Sequence, residues 1–181
     1  MSQGQLVAIV VAAVTVFWML GAYNRLVALR NDIGQAWATV EEALRQRGAA
    51  VAALVAALRE PLAAEQGALE ALHNAQGASA QATAAMAACT VADDTAAHWV
   101  AAEGALAAAA SRVFALLDQH AELRAQDPVS TPVAAWGALE PRLVYRRQKF
   151  NEAAFIYNAA LTQFPTRLLV PLFGFRRAGR I

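Results

Sequence analysis

LVAIVVAAVTVFWMLGAYNRLVALRNDIGQAWATVEEALRQRGAAVAALVAAL, Leu6 to Leu58, is the stretch on which the fold turns. Its opening part, Leu6–Ala22, is almost purely apolar, and the first charged side chain is Arg25. A charge-free run of about 20 residues, rising about 1.5 Å per residue, covers a hydrocarbon core of roughly 30 Å. In lipid the backbone must satisfy its own hydrogen bonds, so residues 1–24 are predicted to form a transmembrane helix. Leu6, Ile9, Val16 and Phe17 are its anchor residues, with Trp18 and Tyr23 in an aromatic belt at its end. The first five residues hold no Lys or Arg, and Trp18–Tyr23 is a poor cleavage site. An uncleaved anchor is therefore expected rather than a signal peptide. Arg25 and Arg30 flank only the C-terminal side, which predicts an N-terminus outside and a domain in the cytoplasm.

Beyond the anchor, Leu26, Leu29, Ile33, Trp37, Val40, Leu44, Val51, Leu54 and Leu58 recur at three- and four-residue steps. That is a heptad-like seam. No proline precedes Pro61, so anchor and seam are expected to share one long helix, with Gly21 as a candidate joint. Arg30 and Arg47 fall where apolar residues belong, and a buried arginine needs a carboxylate. Arg47 is expected either to pair with Glu103 or Glu140 across the bundle or to snorkel to its edge.

Pro61 suits the first turn of a second helix running to about Ala88. Asp93 or Asp94 is expected to cap a third, continuing through Trp99, Leu106, Val113 and Leu117 to about Ala125. Asp127–Pro132 reads as a turn. In a fourth helix Trp136, Leu143, Phe150, Tyr157 and Phe164 lie seven apart, which predicts a core face, with Pro165 as its end. The tail, with Leu172, Phe173 and Phe175 followed by Arg176 and Arg177, either meets the membrane interface or folds back on the bundle.

Composition supports an all-α chain. Alanine tracts such as Ala107–Ala110 favour helix, and no window alternates β-branched with polar residues. The expected architecture is an N-terminal transmembrane helix continuing into an antiparallel, roughly four-helix bundle of long helices. Residues 25–164 form the bundle and 165–181 an apolar and basic tail. The net charge of +1 hides an asymmetry: the charges from Glu60 to Glu103 are all acidic, whereas the C-terminal third is arginine-rich. With no basic–aromatic sheet pattern and no zinc knuckle, anionic lipid is a better partner for that end than nucleic acid.

Chemistry is sparse. His73, His98 and His120 are not at metal-ligand spacing, and Cys89, the single cysteine, has no nearby base and reads as a buried small hydrophobe. Glu70 and His73 form one Glu-x-x-His pair, but di-iron bundles need two. Neither nucleophile-elbow nor phosphate-loop motifs occur. No catalytic, cofactor or metal residue is assigned.

Two stretches resemble the LemA family: Tyr23–Arg47, and Tyr145–Phe175 with its pairs Phe150-Asn151, Tyr157-Asn158, Phe164-Pro165 and Gly174-Phe175. Arg30, Asn31, Arg47, Glu103, Glu140, Arg147, Asn151 and Asn158 are the signature and core-polar candidates. Leu44–Val55 lacks the Pro-Asn step usual in the family, and His120–Leu123 stands in place of its Tyr-Pro-Asp-Leu turn. The resemblance implies an anchored cytoplasmic bundle at a bacterial inner membrane, without enzymatic activity. The family includes magnetosome-associated proteins of the MamQ type, an analogy for a role in membrane organisation. The leading expectation is a membrane-anchored scaffold that forms homo-oligomers in contact with lipid. The alternative is an accessory or regulatory subunit of a membrane enzyme or transporter, with a membrane-protein partner.

Overall fold

The computed structural model describes residues 3–181, so Met1 and Ser2 of the predicted anchor lie outside the described residues. The chain is all-α, with no strand among the described residues. Helix α1 spans Gln3–Leu58, 56 residues without a break, a rod of about 84 Å at 1.5 Å per residue. Gly21 lies inside it as ordinary helix. The rod changes environment along its length. Leu6, Ile9, Val16 and Phe17 are exposed, Phe17 to 74%, whereas Leu26, Ile33 and Val40 are completely buried.

The other long helices are α2 (Gln66–Ala88), α3 (Asp93–Gln119) and α5 (Asp127–Thr162). Short helices α4 (Ala121–Arg124) and α6 (Thr166–Phe173) complete the set. Helix α1 packs mainly against α5 and also against α2, and α2 packs against α3. Helices α3 and α5 meet across the bundle through side chains, such as the edge-on rings of Phe114 and Trp136. Helix α3 is also long and apolar enough to cross a membrane, but it contributes a buried column of Trp99, Leu106, Val113 and Leu117.

Several boundaries differ from those read in the sequence. Pro61 does not start α2: it sits in a turn where the Leu62 N–H donates to the Leu58 carbonyl, and a 3-10 turn at Ala63–Glu65 precedes the helix. Asp93 and Asp94 occupy the first turn of α3 without capping it; the N-cap is Ala92. Their charge still suits the positive end of the helix dipole. Thr95 closes that turn instead, donating to the Cys89 and Ala92 carbonyls. Helix α3 stops at Gln119 rather than near Ala125, because His120 leaves helical geometry (φ −124°, ψ 67°). The expected turn at Asp127–Pro132 is already helix. Pro128 lies in the first turn, where its missing N–H has no intrahelical acceptor. Helix α5 ends at Thr162, so Phe164, the last member of the sevenfold stripe, leaves the core and is 64% exposed. Trp136 is half-buried; Leu143, Phe150 and Tyr157 are core.

Candidate functional site

Most of the larger buried residues of α1 fall into two columns with sevenfold spacing. One is Leu26, Ile33, Val40, Arg47 and Leu54; the other is Trp37, Leu44, Val51 and Leu58. Arg47 therefore occupies a core position. Arg30 begins the second column but is exposed. Asn31 is exposed beside it.

Arg47 divides the core. On the side toward the apolar half of α1 a cluster gathers Trp37, Val40, Leu44, Met86, Trp99, Phe150 and Tyr157. On the far side a second cluster gathers Val51, Leu54, Leu58, Leu72, Leu106 and Val113. Between them lies a polar layer. The Arg47 Nη2 donates to both oxygens of Glu103, at 2.6 and 2.8 Å, and the Ser79 hydroxyl donates to Glu103 Oε1 at 2.6 Å. Glu140 stands 3.9 Å from Arg47 Nη1 and is half exposed. The guanidinium also lies over the Trp136 ring, 5.2 Å from its centroid. Arg47 Nε has no hydrogen-bond partner. The layer joins three helices (Arg47 on α1, Ser79 on α2, Glu103 on α3), with Glu140 and Trp136 of α5 at its margin. A displacement by one helical turn would strand a buried charge, so the layer opposes register slip.

The margin opens into a groove of about 500 Å³ between α3 and α5. Phe114 and Trp136 lie at one end, Arg147 at the other. Arg147 lies over the Trp99 ring at 5.2 Å. Trp99 in turn donates its indole N–H to Thr83, whose hydroxyl donates to the Ser79 carbonyl.

The aromatic-Asn pairs have a division of labour. Phe150 and Tyr157 are fully buried. Asn151 and Asn158, one position on, turn aside to hold the tail. Asn158 donates to the Ala178 carbonyl at 2.8 Å and accepts from the Ala178 N–H at 2.9 Å. Asn151 does the same with Ile181, at 2.6 and 2.9 Å. Each amide thus mimics a backbone partner for one tail residue. Gly174 ends α6 in the left-handed conformation (φ 65°), which redirects the chain toward these clamps. Gly179 lies so close to α3 that an added Cβ would collide with that of Ala96. The last residues therefore fold back, with Ala178 and Ile181 buried.

The preceding part of the tail lies against the end of the apolar half of α1. Phe164 packs edge-on against Trp18, with centroids 5.0 Å apart. Phe173 and Phe175 flank Tyr23 at 4.8 and 5.9 Å. Leu172, Phe173, Arg176 and Arg177 are exposed and Phe175 is half-buried.

Sequence reading missed Ser79, Trp136 as the cover of Arg47, and Gly179. The first two are generic as residue types, and Gly179 carries no motif. Cys89 is exposed rather than buried, because it is the C-cap of α2. His73, His98 and His120 are all exposed. Among the described residues, no cluster of His, Cys, Asp or Glu could hold a metal ion.

The profile of the LemA family matches residues 36–180. Among curated proteins, magnetosome protein MamQ of Magnetospirillum gryphiswaldense is 29% identical over 76 residues, 42% of this chain and 28% of that protein. Magnetosome proteins MamQ 1 and MamQ 2 of Paramagnetospirillum magneticum are each 30% identical over 77 residues, with the same two shares. The matches thus span under a third of these relatives' own length.

Proposed function

This chain belongs to the LemA family, and from that membership we propose a non-enzymatic scaffold, anchored in a bacterial inner membrane and self-associating at its cytoplasmic face. A membrane-associated helical protein is what the family, the MamQ relatives and the exposed apolar half of α1 jointly support. The finer reading rests on one observation above all, that α1 is a single helix of 56 residues. Its first part is uncharged and exposed, and its second part is the spine of the core. A break between span and domain would let the bundle move freely. An unbroken helix fixes the bundle's position relative to the bilayer, as a scaffold needs. The rule of basic flanks supports the cytoplasmic side, since Arg25 and Arg30 both follow the apolar run.

Self-association draws support from exposed apolar residues outside the span, including Val144, Tyr145, Phe155 and Ile156 on α5. The same surface and the neighbouring groove favour, as a second reading, an accessory subunit docked on another membrane protein. The mass of the full chain, gently extracted with its lipid, separates the two. Discrete homo-oligomers, matched by a ladder on crosslinking in intact membranes, are the expected result. A stable complex with one other polypeptide, or only monomer at native abundance, would replace the scaffold reading with the accessory one.

A further inference from the structure

We propose that α6 and the turn before it are a second membrane element, seated in the headgroup layer of an anionic leaflet beside the anchor. The inference rests on the reading of α1 as a span. Helix α6 has two faces. Thr166 and Leu169 are buried toward the bundle, whereas Leu168, Leu172 and Phe173 are 50%, 68% and 56% exposed. Leu168 and Leu172, four residues apart, share one side of this eight-residue helix and need a cover, Phe173 stands exposed at its end against Tyr23, and their position specifies that cover. Phe164 packs edge-on against Trp18, and the Phe173 ring lies tilted against Tyr23. Trp18 lies four residues before Ala22, about 6 Å further along the helix axis. With the span ending at Ala22, the Phe164 turn reaches that depth into the bilayer boundary. Interfacial helices bury their apolar face by about 5–10 Å, so the depth set by α1 suits α6.

The charges point to the same occupant. From Ala153 to the C-terminus the charged side chains are Arg167, Arg176, Arg177 and Arg180, with no Asp or Glu among them. All four are exposed, and none forms an ion pair with a carboxylate among the described residues. Arg25 adds a charge at the α6 end, donating to the Gln163 side chain at 3.4 Å, whereas Arg180 lies apart, lining a groove of α5 with Asn151 and Glu152. Apolar side chains edged with arginine, at the end of a span, match a surface of acyl chains beneath phosphate groups. A second copy of the same face would bring like charges together, so lipid is the better fit. The Asn151 and Asn158 clamps then hold the end of the tail to the bundle, leaving α6 between bilayer and bundle.

The test labels the full chain with a fluorophore at Leu172→Cys in a Cys89→Ser background, since Cys89 is exposed. Leu172 is itself exposed, so the label disturbs no packing. The labelled protein is reconstituted in vesicles of phosphatidylcholine with phosphatidylglycerol, with and without brominated acyl chains. Labels at Leu20→Cys and Arg59→Cys serve as in-span and far-end controls. The expected result is a loss of emission at Leu172 in brominated vesicles, approaching that at Leu20, with none at Arg59. The loss shrinks in pure phosphatidylcholine and in Arg167→Gln/Arg176→Gln/Arg177→Gln. Quenching at Leu20 but not at Leu172 overturns the proposal and leaves the span intact. Quenching at neither overturns both. A Leu172 signal that is shielded from water but unquenched, and that reverts on dilution of protein in lipid, identifies a second copy as the cover and also overturns it.

Discussion

Glu103→Gln tests the polar layer most directly. The substitution keeps the shape of the side chain, and one oxygen remains to accept from Arg47 or Ser79, but the charge is gone. Arg47 and Glu103 have side chains only 6% and 10% exposed, so water cannot replace the lost partner. Two unit charges about 4 Å apart attract by about 4 kcal/mol at an effective dielectric of 20, and desolvation of the two ions offsets much of this. The intact pair therefore adds little net stability, while a broken pair is expensive. Removing one partner of a buried pair costs about 3–5 kcal/mol. Glu140, 3.9 Å from Arg47 and half exposed, can take up part of the arginine's charge, so the lower end applies, about 3 kcal/mol. At about 2–4 °C per kcal/mol for a chain of this size, the melting midpoint should fall by about 6–12 °C. The assay is thermal and urea unfolding of the full chain in detergent, followed by helical circular dichroism. Arg47→Met should cost a similar amount, because it leaves Glu103 buried with Ser79 alone. The double variant Arg47→Met/Glu103→Leu should return to within about 1 kcal/mol of the parent, since apolar replacement of a whole buried pair is often neutral. Single variants within about 0.5 kcal/mol of the parent, or a double variant that loses the sum of both, would refute the reasoning.

The remaining predictions concern the tail and two other positions. Gly179→Ala should expel the tail from α3, since the new methyl has no room beside Ala96; hydrogen exchange at Ala178 and Ile181 should lose its protection, while the bundle still melts cooperatively. Asn158→Ala removes two hydrogen bonds, each worth about 0.5–1.5 kcal/mol net, and should raise exchange at Ala178 more than at Ile181; equal exchange at both would show that the clamps do not act separately. Gly77→Ala lies inside α2 with nothing within 4 Å of its added Cβ, so urea melts should show a gain of about 0.5–1 kcal/mol. Burial raises the Tyr157 phenol above its ordinary 10.0, with nearby Arg30 partly opposing. The folded state then holds that proton more tightly than the unfolded chain. Stability from this group is whole below about pH 10 and is lost as pH rises through the raised value. Melting temperatures across that range should fall less steeply for Tyr157→Phe than for the parent, and parallel slopes would count against the assignment.

Local chemistry made much of this architecture legible. The sevenfold columns of α1 and the stripe Leu143, Phe150, Tyr157 could be read as buried faces because helical periodicity is a property of a short window. Boundaries were read less well where a residue tolerates two roles. Pro128 fits a turn or the first turn of a helix equally, and Asp93 suits a cap or the dipole behind it. Phe164 continued the stripe by spacing alone, but the helix carrying it had already ended. The tail was ambiguous for a different reason. The same apolar and basic residues suit a bundle surface or a bilayer, and it is the clamps on Ala178 and Ile181 that commit the last residues to the bundle.

Local sequence is enough to establish that the chain is helical, that an uncharged apolar run leads it, and that an arginine interrupts its main seam. Those conclusions depend on neighbours within a turn or two, and such neighbours are present in any conformation of the chain. The partners of that arginine depend on how the helices pack. Glu103 lies 56 residues from Arg47, Ser79 lies on a third helix, and Ile181 reaches Asn151 across 30 residues. Nothing in a local window ranks Glu103 above Glu140 for Arg47. The choice follows from crossing angles and register, which are set when two apolar clusters close on either side of a charge that cannot be left alone.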